Sequence, residues 1–214
     1  MKTAADKALE FARLLCEGDS GGHDFGHVER VYRTAVDIAG KEGADVFVCA
    51  LAAALHDADD RKLSPETTAN KDNARRFMDQ NAVPAETAER VLHIIGEVSF
   101  RGTDSVTPDS IEGKVVQDAD RLDAMGAVGI ARCFAYGGST GRKIYEPGEA
   151  PLTEVGAEKY YSGKTCGINH FYEKLLLLKG MMNTPSAKRE AEKRHEYMLG
   201  FLNEFFRETG EKAP

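Results

Sequence analysis

Apolar residues recur at steps of three and four over most of the chain, the mark of helices that bury one face. Val28, Val31, Ala35 and Ile38 make one such stripe within 24–41, and residues 3–17 carry a shorter one that stops before Gly18. Residues 45–56 (DVFVCALAAALH) are almost wholly apolar, so a helix enclosed on most sides is expected there. Pro65 and Pro84 suit helix N-termini, where a missing N–H costs little, and they predict helices over about 65–80 and 84–98. Helical spacing returns over 110–136, with Gly126 and Gly129 marking a bend or a break. The stretch 137–165 is irregular and rich in glycine, long enough to be a functional flap. Two helices close the chain, one carrying Ile168, Phe171, Leu175, Leu178 and Met182, the other Ala191, Met198, Leu202 and Phe205. With no convincing period-2 run, internal repeat or linker, the expectation is an all-α helical bundle. It forms one domain over 1–214, with a core at about 20–135 and the flap and closing helices at about 137–210.

Composition narrows the function. Hydrophobic residues make up 42% of the 214 positions, enough for a sizeable core, which argues against intrinsic disorder. Lys+Arg 28 against Asp+Glu 35 leaves a net charge of −7, unfavourable for a general binder of nucleic acid or membrane surface, since both are anionic. Cys16, Cys49, Cys133 and Cys166 form no C-x-x-C pair, so free thiols in a reducing cytoplasm are expected. The N-terminal MKTAADKALEFARLL lacks a signal-peptide core, and no apolar run is long enough to span a membrane.

Three places put metal-ligand residue types where a core has no need of them. His27 shares a helix face with Val31, Thr34 and Ile38 and points inward; taken alone it reads first as a core histidine. His56 and Asp57 end the apolar helix, where a carboxylate opposes the macrodipole and is costly to bury without a cation. In KVVQDADRLDAMGA, steps of 4, 3 and 4 link Val116, Asp120, Asp123 and Ala127, so two carboxylates interrupt an apolar face. Asp118 lies about 200° round a regular helix from Asp120 and cannot serve the same ion. Imidazole and carboxylate without thiolate suit Mn²⁺, Fe²⁺, Co²⁺ or Zn²⁺, with positions left open for water and substrate. His93, His170 and His195 read as core histidines.

The order H…HD…D, with the last Asp in ADRL, resembles the HD superfamily of metal-dependent phosphohydrolases. The phrases HDFGHVERV, LHDADD, VSFRG, KVVQDADRLDAMGAVGIAR and GINHFYEKLL, over about residues 20–205, look like its bacterial branch that includes nucleoside-triphosphate pyrophosphohydrolases. The resemblance implies that His27, His56, Asp57 and Asp120 are the metal positions and that Asp60 lies near the attacking water. The branch more often shows two acids there, whereas Asp60 is followed by Arg61, which leaves the general base open among Asp60, Asp118 and Asp123. His23, Lys62, Arg101, Lys114 and Lys174 are candidates for holding substrate phosphates.

The expected activity is hydrolysis of (deoxy)nucleoside triphosphates to monophosphate and pyrophosphate. It would use one divalent ion, manganese first, with iron, cobalt, zinc and magnesium as alternatives. A phosphomonoesterase or cyclic-nucleotide phosphodiesterase would use the same centre, and a non-catalytic metal-containing module would keep only the ligands. A small phosphorylated nucleotide is the expected partner, without nucleic acid or membrane, and a homodimer stays open.

Overall fold

The computed structural model describes residues 3–16, 24–60, 64, 66–99, 105–152 and 165–213, and several of its helices begin where a polar side chain meets free backbone N–H groups. α1 (Ala4–Leu15) opens on a capping box: Thr3 Oγ1 accepts from the Asp6 N–H at 3.1 Å, and Asp6 Oδ2 accepts from the Thr3 N–H at 2.9 Å. α2 (Phe25–Glu42) starts at Asp24, whose carboxylate accepts from the His27 N–H at 2.9 Å. α3 (Val46–Leu55) starts at Asp45, which accepts from Phe47 and Val48. Every residue of α3 from Val48 to Leu55 is buried, as the apolar run predicts, because α1, α2 and α5 (Ala85–Val98) all pack on it.

α4 spans Asp72–Gln80 and so begins later than Pro65 suggests. Residues 66–71 are turns, and the helix starts where the buried Asp59 accepts from the N–H groups of Asn73 at 2.9 Å and Ala74 at 3.0 Å. A long-range carboxylate sets this boundary. The spacing over 110–136 resolves into two helices, α6 (Ile111–Asp123) and α7 (Gly126–Ser139). Gly126 takes φ +70°, a conformation open to glycine at little cost, and a Cβ on Gly129 would run into the Ala124 carbonyl. The stripe from Val116 therefore stops at Asp123, and Ala127 is exposed on the next helix.

The described residues group into two compact units divided at Asp120/Arg121. The first holds α1 to α5 and α6 as far as Asp120, with α3 at its centre and the rings of Phe11 and Phe77 5.2 Å apart. In the second, α7 packs against α9 (Pro185–Thr209). Phe171 is fully buried there, stacked on Phe201 at 5.6 Å, and Phe134 lies 6.1 and 5.9 Å from the two rings. The helix expected around 167–182 is composite: α8 (Gly167–His170) continues into a π-helical turn over Phe171–Leu175 and a 3₁₀ turn over Leu177–Met181.

α7 runs through Gly137 and Gly138, so the irregular stretch begins at Thr140. Of the expected flap, residues 153–164 lie outside the described residues. The residues on either side are tied to α8 and the turn after it. Glu173 accepts from the Leu152 N–H at 2.9 Å and the Thr165 hydroxyl at 2.8 Å, and Glu149 accepts from the Cys166 N–H at 2.7 Å. Among the described residues there is no β-strand, and no helix is long and apolar enough to cross a membrane.

All four cysteines are free and buried. Burial pushes the Cys49 thiol up to about 12 and the Cys133 thiol to about 11, leaving both almost wholly protonated at pH 8. Iodoacetamide at pH 8 should therefore modify Cys49 and Cys133 far more slowly in the native protein than in urea. Peptide mapping that found equal rates would contradict the packing described. Gly129→Ala should lower stability by about 1–3 kcal/mol, read from denaturant unfolding, because the Ala124 carbonyl has to move.

Candidate metal centre

Four side chains of the first unit converge on one point. His27 sits in the first turn of α2, where the Asp24 cap fixes its backbone, and it is 1% exposed. His56 is the first residue past α3 and is buried. Its Nδ1 lies 2.8 Å from the Ala53 carbonyl, which can only accept, so Nδ1 carries a proton and Nε2 is the nitrogen turned toward His27. Asp57 follows in the turn that ends α3, and leaving helical geometry lets these adjacent side chains meet: His56 Nε2 is 3.4 Å from Asp57 Oδ1. Asp120 is presented by α6 and is the more open of the two carboxylates, at 26% exposure against 12% for Asp57.

His27 Nε2 lies 3.2 Å from His56 Nε2, 3.4 Å from Asp57 Oδ2 and 3.5 Å from Asp120 Oδ1. His56 Nε2 is 3.9 Å from that same Asp120 oxygen. Ligand bonds of 2.0–2.2 Å set neighbouring donors roughly 2.9–3.6 Å apart round a single ion. The three distances from His27 and the His56–Asp57 pair fall in that range, and the 3.9 Å His56–Asp120 pair lies just beyond it. The chemistry fits as well. Two imidazoles presenting Nε2 to each other, with two carboxylates at their edge, are a donor set that a divalent cation suits, because it offsets the negative charge gathered there. His27, His56 and Asp57 each offer an atom within 4.8 Å of the others, and such a group could hold a metal.

The remaining acids separate by environment. Asp60 is half-buried in the turn after Asp57, and its N–H donates to the Asp57 carbonyl at 3.0 Å. Asp118 is completely buried in the first unit. Asp123 belongs to the second unit, where Arg132 donates to its carboxylate at 2.8 Å. Lys114 is half-buried on α6, and Lys174 is half-buried in the π-helical turn of the second unit. His23, Lys62 and Arg101 lie outside the described residues. His93 is no core histidine: its side chain is 55% exposed, beside Glu97 and Asp109. Asp59 was not foreseen as structural. The run DADD offers three acids in four positions, and only the fold shows that the buried one caps α4.

The chain belongs to the HD domain family, whose model matches residues 24–125. YpgQ of Bacillus subtilis is 41% identical over 205 residues, which are 94% of this chain and 91% of YpgQ. The crystal structure of YpgQ in complex with ADP superposes with a TM-score of 0.75 at 36% identity, covering 95% of this chain and 97% of that one. A Lactobacillus plantarum protein reaches a TM-score of 0.88 at 36% identity over 98% of both chains. An HD-superfamily hydrolase from Bacillus thuringiensis reaches 0.73 at 39% identity over 97% of both. The fold is thus that of an HD-superfamily hydrolase.

Asp59→Asn removes a carboxylate from two helix N–H groups without touching the histidine cluster. It should cost about 1–3 kcal/mol in chemical unfolding. Bound metal, measured by elemental analysis, should be unchanged.

Proposed function

We propose that the chain is a metal-dependent hydrolase of (deoxy)nucleoside triphosphates, releasing monophosphate and pyrophosphate, with His27, His56, Asp57 and Asp120 holding one divalent ion. The observation that carries this reading is the convergence of two imidazole nitrogens and two carboxylates at 3.2–3.9 Å in a mostly buried pocket. The ADP complex of YpgQ supports a nucleotide substrate. Relatives that align over nearly the whole chain support a single working domain. Manganese is the first choice of ion, and the cytoplasm the proposed compartment.

A divalent ion held there would polarise a phosphoryl oxygen and make a nearby water acidic enough to attack near neutral pH. The protein's own contribution is positional. The bond from His56 Nδ1 to Ala53 keeps the ring in one tautomer and one orientation. Asp60, half-buried beside Asp57, is wet enough to accept a proton from the attacking water and is our choice of general base. Asp118, fully buried, and Asp123, held by Arg132, are assigned orienting roles. Lys114 and Lys174, with His23, Lys62 and Arg101, are the proposed partners of the substrate phosphates, whose charge needs cations in a net-acidic protein.

The test is a nucleotide panel with Mn²⁺, Mg²⁺, Co²⁺ or no added metal, products resolved by chromatography, run in ¹⁸O-water. Label in the monophosphate with pyrophosphate released is expected. Orthophosphate carrying the label would reject attack at the α-phosphorus, and turnover of only monoesters or cyclic nucleotides would assign the centre to those reactions. His56→Ala and Asp57→Ala should each lower turnover by at least about a hundredfold and release metal. Asp120→Asn should lose metal while Asp118→Asn keeps it; the reverse would show that the wrong carboxylate was chosen.

A further inference from the structure

Away from the four residues above, the first unit brings a second set of metal-ligand types together. His93 and Glu97 are one turn apart on α5, hence on one face, and Asp109 belongs to the stretch leading into α6. His93 Nε2 lies 3.2 and 3.3 Å from the two Asp109 oxygens and 3.5 Å from Glu97 Oε2. Each of the three residues offers an atom within 4.8 Å of the other two. We propose that His93, Glu97 and Asp109 form a second divalent-cation site, of zinc type, distinct from the His27–His56–Asp57–Asp120 centre.

Three observations carry it. First, the distances are long for charge-assisted hydrogen bonds, which close to about 2.7–2.9 Å. The two edges that start at His93, 3.2 Å to Asp109 and 3.5 Å to Glu97, lie close to the roughly 3.3–3.4 Å edge of a tetrahedron round an ion with ligands at 2.0–2.1 Å. Second, among the described residues Glu97 Oε2 is buried without a hydrogen-bond partner, and the ion pair shown for it is with His93 at 3.5 Å. A buried carboxylate oxygen left in this state costs free energy, which a cation would recover. Third, one imidazole and two carboxylates make a neutral site once a dication is bound, and the exposed side of His93 and Asp109 leaves the fourth corner to water.

The place gives the site a role. Gln117 of α6 already donates to the Glu97 carbonyl at 3.0 Å and to the Val106 carbonyl at 2.9 Å, tying the end of α5 to the stretch before α6. An ion on His93, Glu97 and Asp109 would add a second tie three residues further on, holding the start of the helix that carries Asp120. The ion is a structural staple. It takes no part in the proposed hydrolysis.

Zn²⁺ titrated into chelator-stripped full-length protein, against a chromophoric competitor, should fill two sites per chain. Asp109→Asn is the cleanest variant because that side chain is 73% exposed and its loss cannot empty the core. It should weaken one equivalent at least about tenfold and leave the other unchanged. His93→Ala should remove the same equivalent, and His56→Ala the other one. Replacing Zn²⁺ by Co²⁺ gives a readout independent of activity: in protein whose first centre is emptied by His56→Ala, a tetrahedral visible absorption remains, and adding His93→Ala abolishes it. A single equivalent that His93→Ala leaves in place, or two that survive both Asp109→Asn and His93→Ala, would overturn the second site; a single equivalent lost in His93→Ala but kept in His56→Ala would count against the first centre instead.

Discussion

Everything near the candidate centre answers one electrostatic problem. Two imidazoles and two carboxylates are brought within 3.2–3.9 Å of one another, with His27 and His56 almost completely enclosed. Without a cation, like charges and facing lone pairs would repel in a medium that screens poorly. The surrounding helices hold that arrangement by spending ordinary packing energy on it. α3, one of the most completely buried helices, delivers His56 and Asp57 at its end, and the α2 cap delivers His27. The apolar run of α3 is thus a foundation from which the HD dipeptide cannot easily retreat.

The same economy governs the turn that follows. Asp57, Asp59 and Asp60 lie within four positions and do three different jobs. Asp57 faces the histidines, Asp59 caps α4, and Asp60 stays half-buried, where it can meet water. Two backbone N–H groups satisfy the one acid of the run that is buried away from the histidines.

How much of this was legible beforehand depends on the range of the interactions involved. α1, α2, α3 and α5 follow local periodicity and caps, and their observed limits fall within about two residues of expectation. The set His27, His56, Asp57 and Asp120 came from the resemblance to the HD superfamily; helical phase and the cost of buried charge pointed to the same three stretches of chain, but did not choose between Asp120 and Asp123. The start of α4 was misplaced because Asp59 sets it from 13 positions away, counting back from Asp72. The cluster round His93 was missed for a related reason: an i, i+4 pair is visible in sequence, whereas Asp109 joins it only through the path of the chain before α6. Side-chain convergence across helices is readable only where a strong motif already marks both ends.

The central claim is that two imidazole nitrogens from His27 and His56 coordinate one ion. Pulsed electron paramagnetic resonance of the protein loaded with a single equivalent of Mn²⁺ tests it directly, since each coordinated imidazole imprints a ¹⁴N coupling on the manganese signal. The account predicts two such couplings, reduced to one by His27→Ala or by His56→Ala in whatever fraction of ion stays bound. A Mn²⁺ spectrum without nitrogen couplings, from protein that still binds one equivalent, would contradict it.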